Sequence, residues 1–123
     1  MQELFDLKNW AVVGATTDTS KFGYKVFKKL QSRGFHVYPV NPKLEEIEGI
    51  KCYASVSEIT DPIDVISLIV NPKIGLEVVE KAKEMGIKNI WCQPGAESPE
   101  LIDKAESYGI NIIYHECVLV ELG

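Results

Sequence analysis

The sequence predicts a doubly wound α/β domain, a five-stranded parallel sheet of Rossmann type in a three-layer α/β/α arrangement. Three observations predict it. Short apolar runs alternate along the whole chain with segments of helical period. Helices open on cap-plus-proline pairs, Asn71-Pro72 and Ser98-Pro99, and close on glycines. Residues 64–70 are nearly all apolar, as befits a strand covered on both faces.

Taken in order, residues 10–13 form the first strand, stopped by Gly14. Residues 21–33 form the first helix, with Phe22, Val26, Phe27 and Leu30 at i, i+4, i+5 and i+8 and lysines between them. Thr19 or Ser20 is placed to cap its start, and Gly34 ends it. The second strand is His36–Val40, closed by Asn41-Pro42. Residues 43–62 are less regular, and a short helix near 55–60, capped by Ser55 or Ser57, is expected there. Residues 64–70 are the third strand. Asn71 then caps a helix whose buried stripe is Ile74, Val78, Val79 and Ala82, with Gly86 following. The fourth strand is Asn89–Cys92. The last helix starts at Ser98-Pro99, buries Leu101, Ile102 and Ala105, and stops at Gly109. Residues 111–114 are the fifth strand, and the chain ends soon after. Parallel strands in this order need right-handed crossovers. No linker, repeat or low-complexity segment interrupts them, so residues 1–123 are expected to be a single domain.

Composition narrows the function. The chain is 46% hydrophobic and 25% charged, ordinary for a globular protein. No apolar run approaches the ~18 residues of a membrane span. The opening Met-Gln-Glu-Leu-Phe-Asp lacks the basic and apolar regions of a secretory signal. Three widely spaced cysteines, Cys52, Cys92 and Cys117, make no disulfide framework, and a reducing, cytoplasmic location is expected. The net charge of −5 argues against a general nucleic-acid binder. Its distribution is uneven: residues 1–43 hold seven basic and three acidic groups (+4), and the other 80 residues hold six and fifteen (−9). Lys25, Lys28, Lys29 and Arg33 read first as the solvated face of a helix.

In such a sheet ligands bind beyond the C-terminal ends of the strands. The loops there run from Gly14 to Gly23, then Asn41-Pro42-Lys43, Asn71-Pro72-Lys73, and Gln93-Pro94-Gly95-Ala96-Glu97. In the first, Thr16, Thr17, Thr19 and Ser20 offer hydroxyls, Lys21 offers a charge, and the following helix start favours a phosphate. Gly23 permits close approach of a phosphate or of neighbouring backbone. A polar turn with a structural glycine is the plainer account. The dinucleotide fingerprint is missing, because threonines stand at 16 and 19 where it needs glycines. An NAD site also expects an acid at the end of strand two, where this chain has Val40-Asn41-Pro42. Lys43 suits a phosphate near an adenosine ribose, as in NADP or coenzyme A, and spacing alone does not separate the two.

The segments Val12-Val-Gly-Ala15, Lys21-Phe-Gly-Tyr24, Val37-Tyr-Pro-Val-Asn-Pro42 and Trp91-Cys-Gln-Pro-Gly95, with Cys117 and Glu121, resemble the small stand-alone coenzyme A-binding domain family. That family is similar in fold to the N-terminal domain of the succinyl-CoA synthetase α-subunit. The resemblance runs from about residue 8 to 121, and Val-Tyr-Pro-Val-Asn-Pro is its most specific part. It implies that CoA or an acyl-CoA lies across the C-terminal edge of the sheet. Gly14, Ala15, Thr16, Thr17, Lys21, Phe22 and Gly23 would hold phosphates. Asn41, Pro42 and Lys43 would sit near the adenosine, Val70, Asn71 and Pro72 would form the wall beside it, and Gln93, Pro94 and Gly95 would approach the pantetheine arm. Cys92, Pro94 and Ala96 depart from residues frequent in the family. A full CoA ligase also needs a second domain with a phosphorylated histidine, which another chain is expected to supply if this one acts in ligase chemistry.

No catalytic constellation or metal site stands out. His115 and Cys117 lack partners at ligand spacing. Cys92 reads as a core filler, with a mixed disulfide to CoA as the sharper alternative. Glu45, Glu46 and Glu48 read as a solvated loop surface, and Trp10 and Trp91 as packing. Three functions follow: a CoA-binding module without its own catalytic group, an NADP-binding oxidoreductase domain, and a CoA-sensing regulatory subunit of an acyl-CoA enzyme. A homodimer or a partner enzyme chain is compatible with the first and third.

Overall fold

The apolar run after Asn9 is buried at every position from Trp10 to Val13, because helices cover it on both sides. The computed structural model describes residues 2–123. Its elements in chain order are β1 (Asn9–Val13), α1 (Phe22–Ser32), β2 (His36–Val40), the two-residue strands β3 (Glu46–Ile47) and β4 (Ile50–Lys51), β5 (Val65–Leu68), α2 (Pro72–Met85), β6 (Asn89–Cys92), α3 (Pro99–Ser107), β7 (Asn111–Ile113) and α4 (Val118–Leu122). The main sheet runs β2-β1-β5-β6-β7, and every pairing in it is parallel. This is the five-stranded sheet that the alternation predicts. Its order reverses between β1 and β5, the switch point at which such sheets open a crevice.

Each face has its own core. On one side Val78, Val79 and Ala82 of α2 and Leu101 and Ala105 of α3 pack on Ile66, Leu68 and Ile90. On the other, Val26, Phe27 and Leu30 of α1 and Val118 of α4 cover Trp10, Val12 and Trp91. Phe5, from a 3-10 turn (Gln2–Asp6), stacks on Trp10 at 5.7 Å and meets Trp91 at 5.4 Å. Both indoles are fully buried, and each donates to a carbonyl: Trp10 Nε1 to Leu7 at 2.7 Å, Trp91 Nε1 to Glu116 at 2.8 Å. The tryptophans pack; they are not stacking platforms for a ligand.

The N-terminal edge of the sheet is tied by polar side chains, strand to strand. His36 Nδ1 meets Asn9 Oδ1 at 3.2 Å, and Asn9 N donates to Asp64 Oδ2 at 3.0 Å. Asn89 Nδ2 donates to the Asp64 carbonyl at 3.0 Å, and Asn111 Nδ2 to Asn89 Oδ1 at 3.2 Å. Structural polar groups thus collect at the N-terminal edge.

Several expectations need correction. Neither Thr19 nor Ser20 caps α1: Lys21 is its N-cap and makes no side-chain cap bond. Asp18 explains this, because its carboxylate takes both the Ser20 N–H (3.0 Å) and hydroxyl (2.6 Å) within the loop. Ile74 is 45% exposed, and Gly75 holds the buried position beside it. A Cβ on Gly75 would stand 2.6 Å from a Leu101 methyl, so the glycine lets α2 and α3 meet. Residues 43–62 contain an antiparallel β3–β4 hairpin, turned by Glu48 (φ 49°) and Gly49 (φ 84°). Glu48 is no free surface acid, since it accepts from Tyr24 Oη and from Lys28 Nζ at 2.8 Å. The short helix expected near 55–60 is a single 3-10 turn, Val56–Glu58, capped by Ser55. Beyond β7 the chain folds again as α4.

Candidate ligand-binding site

Loops after β1, β2, β5 and β6 meet at the C-terminal edge. Gly14 leaves β1 with φ +101°, and its N–H donates to the Val40 carbonyl at 3.0 Å. A Cβ on Gly14 would lie 2.3 Å from the Ile69 oxygen, and one on Gly23 would lie 2.0 Å from the Gly14 oxygen. Both positions therefore demand glycine, and between them they bring the first turn of α1 onto the end of β1. At Gly23 the close approach is made by backbone.

The starts of the three long helices differ. Asn71 Oδ1 accepts from Ile74 N at 3.0 Å on α2, and Ser98 Oγ accepts from Leu101 N at 3.1 Å on α3. On α1 no side chain does this. Lys21 N donates to the Asp18 carbonyl and Tyr24 N to that of Lys21, so the Phe22 and Gly23 amides and the positive end of the dipole are left to whatever occupies the cleft in front of them.

That cleft, about 560 Å³, is lined by Gly14, Thr16, Ser20, Lys21, Phe22, Gly23, Asn41 and Ile69. A larger cleft of about 640 Å³, called the first cleft, with the 560 Å³ one as the second, adjoins it through Gly14 and Asn41. Its walls are Val13, Val40, Pro42, Val56, Val70 and Val78, closed by Ala54, Ser55 and the outer row of α2, Ile74, Glu77, Lys81 and Glu84. A third, of about 270 Å³, is formed by Ile69, Val70, Asn71, Gln93, Pro94, Gly95 and Ala96. Ile69 joins it to the second cleft and Val70 to the first, so the three make one groove across four strand ends.

Of the residues expected at the site, Gly14, Thr16, Lys21, Phe22, Gly23, Asn41, Pro42, Val70, Asn71, Gln93, Pro94 and Gly95 line this groove. Ala15, Thr17, Lys43 and Pro72 are not among its lining residues. Ala15 is fully buried, with its carbonyl accepting from Asn41 Nδ2 at 2.9 Å. Thr17 and Lys43 are exposed. Gln93 comes to the third cleft with its amide already engaged: Oε1 accepts from Val118 N at 2.8 Å and Nε2 donates to Cys117 Sγ at 3.2 Å. It fastens the β6 loop to α4.

The sequence reading missed Ala54, Ser55, Val56 and the α2 row. Spacing held the signal, because residues 74, 77, 81 and 84 lie on one helix face beside the buried stripe. Glu80 also lines the first cleft, but Lys104 Nζ at 2.8 Å and the Tyr108 hydroxyl hold its carboxyl below the usual range.

Cys92 is fully buried, and burial pushes its thiol up to about 12. It is a core filler and offers no sulfur to the groove. His115 Nε2 faces Glu97 at 3.9 Å, not Cys117. Among the described residues no group of His, Cys, Asp and Glu is placed to hold a metal ion, and no helix is long and apolar enough to cross a membrane.

Comparison with known proteins agrees with the resemblance seen in the motifs. A family model described as a CoA binding domain matches residues 8–123. The chain belongs to the CoA binding domain family. The α subunit of the ADP-forming acetate–CoA ligase II of Pyrococcus furiosus is 36% identical over 93% of this chain. The chain spans 27% of that subunit, and 17–19% of three ADP-forming acetate–CoA ligases from Methanocaldococcus jannaschii and Archaeoglobus fulgidus. Stand-alone relatives also exist. A hypothetical protein from Pyrococcus horikoshii superposes with a TM-score of 0.93 at 40% identity, over 99% of this chain and 89% of its own. A conserved hypothetical protein from Pyrococcus furiosus gives 0.89 at 45%, over 94% and 99%. Within the CoA binding domain family, then, this fold occurs both alone and as part of larger ligase chains.

Proposed function

We propose that the protein binds coenzyme A, or an acyl-CoA, along the groove at the C-terminal edge of the sheet. The observation that carries this reading is the uncapped start of α1, with Lys21 at its N-cap, in a cleft that adjoins both others. A pyrophosphate there meets free amide donors and a full positive charge. The larger, valine-walled cleft suits the adenine, and the third takes the pantetheine arm. Family membership and the ligase relatives support CoA over NADP, and the absence of an acid at the end of β2 speaks against NAD.

The protein acts here as a binding module. Among the described residues the groove holds no nucleophile with a base and an orienting group. The ligase relatives, in which a like domain stands beside further sequence, support reading it as presenting CoA to a partner enzyme. Calorimetric titration with CoA, NADPH and ATP tests the ligand. CoA is expected to bind tightest, and no heat with millimolar CoA overturns the reading. Sedimentation with and without CoA, followed by capture from host lysate, tests the partner. A lone monomer in both states counts against it.

A further inference from the structure

We infer that Asn41 is a positioning residue, whose side-chain amide bolts the loop 14–23 to the loop after β2, the strand end whose backbone carries the segment 52–56, and so sets the width of the groove between its first two clefts. Its effect on CoA rests on the reading above; its effect on the free protein does not.

Asn41 lines both clefts, as only Gly14 also does among the described residues. Its polar atoms are nearly all engaged within the protein. Nδ2 donates to the Ala15 carbonyl at 2.9 Å, and Oδ1 accepts from Lys43 N at 2.9 Å. Its backbone N–H donates to the Tyr53 carbonyl at 2.9 Å. Its carbonyl accepts from Leu44 N at 3.3 Å and from the Cys52 thiol at 3.7 Å. The loop after β1, the loop after β2 and the segment that closes the first cleft are therefore held through one residue, the first two by its side chain and the third by its backbone. The resemblance implies Asn41 near the adenosine, but the geometry has it acting through Ala15 and Lys43.

The two side-chain bonds need opposite chemistry. One end must donate to a carbonyl and the other must accept from an N–H, which an amide does and a carboxylate does not. Asn41→Asp is therefore diagnostic. When ionised, the new carboxyl sets an oxygen against the Ala15 oxygen, acceptor to acceptor. When protonated, it donates again. The folded protein favours the protonated form, so the defect is present at high pH and fades as pH falls through the raised pKa. The titratable groups around the position are Lys21 across the second cleft, Lys43 on its own loop, Cys52 and Tyr53 beneath it, and Glu77, Glu80, Lys81 and Glu84 across the first cleft. These are common to wild type and variant and cancel in their ratio.

The test measures thermal midpoints of the free protein and CoA dissociation constants for wild type, Asn41→Asp and Asn41→Ala at pH 8 and pH 5. For Asn41→Asp at pH 8 we expect a lowered midpoint and roughly tenfold weaker CoA binding, both narrowing toward wild type at pH 5. Asn41→Ala should be impaired equally at both. If Asn41→Asp matches the wild-type midpoint at both pH values while its CoA binding still depends on pH, the amide touches the ligand and the inference fails. Equal defects at both pH values, or failure to fold at pH 5, also overturn it. If wild type binds no CoA, the functional reading falls alone, and the midpoints of the free proteins still decide the role of Asn41.

Discussion

A lysine at the N-cap of α1, in a place where a capping hydroxyl would be usual, brings a charge to amide donors that no side chain satisfies. Lys21→Ala should weaken CoA binding about tenfold, the scale of one exposed charge-assisted hydrogen bond, with the fold unchanged by circular dichroism. An unchanged dissociation constant would mean that the loop merely closes the fold. Cys92 illustrates the opposite case, a reactive residue type made inert by burial. Its thiol is raised to about 12 from an ordinary 9.0, so burial disfavours the thiolate. Its stabilising contribution is complete below pH 9 and is lost as pH rises from 9 toward 12, where the unfolded chain ionises first. Alkaline denaturation should therefore be shallower in Cys92→Ala than in wild type. Iodoacetamide on the native protein, followed by mass mapping, should label the half-buried Cys117 before Cys92 and Cys52.

At the scale of elements, caps separate structure from function. Asn71→Ala and Ser98→Ala each remove a satisfied cap and should cost about 1 kcal/mol in urea denaturation. Thr19→Ala removes no cap and should stay within about 0.5 kcal/mol. The two capped starts were legible because a cap residue before a proline leaves few alternatives. β2 and β6 were legible at both ends, because His36–Val40 and Asn89–Cys92 are apolar runs bounded by turn formers. The β3–β4 hairpin was not, since its turn is Glu48-Gly49 and only the second residue is one that positive φ selects. α4 is too short to show a period, and is fixed instead by Gln93 and by burial of Val118. Ile74 misled because residues at helical spacing line both the core and the groove.

Over the whole molecule, the sheet has two unlike edges. At the N-terminal edge Asn9, His36, Asp64, Asn89 and Asn111 satisfy one another across all five strands. At the C-terminal edge the loops leave donors and apolar walls facing a groove. The order of loops in the sequence located that edge, and twelve of the sixteen expected residues line it. Its far wall came from α2 and the 54–56 segment, which no loop motif marks. The proposed function requires CoA to occupy this edge with its phosphates on α1. Backbone amide NMR of the labelled protein during titration with CoA tests that most directly. The largest shifts should fall on Gly14 and on Lys21, Phe22 and Gly23, with smaller ones at Val70 and Gly95. Shifts centred on the Asn9–Asn89–Asn111 edge, or none at saturating CoA, would contradict it.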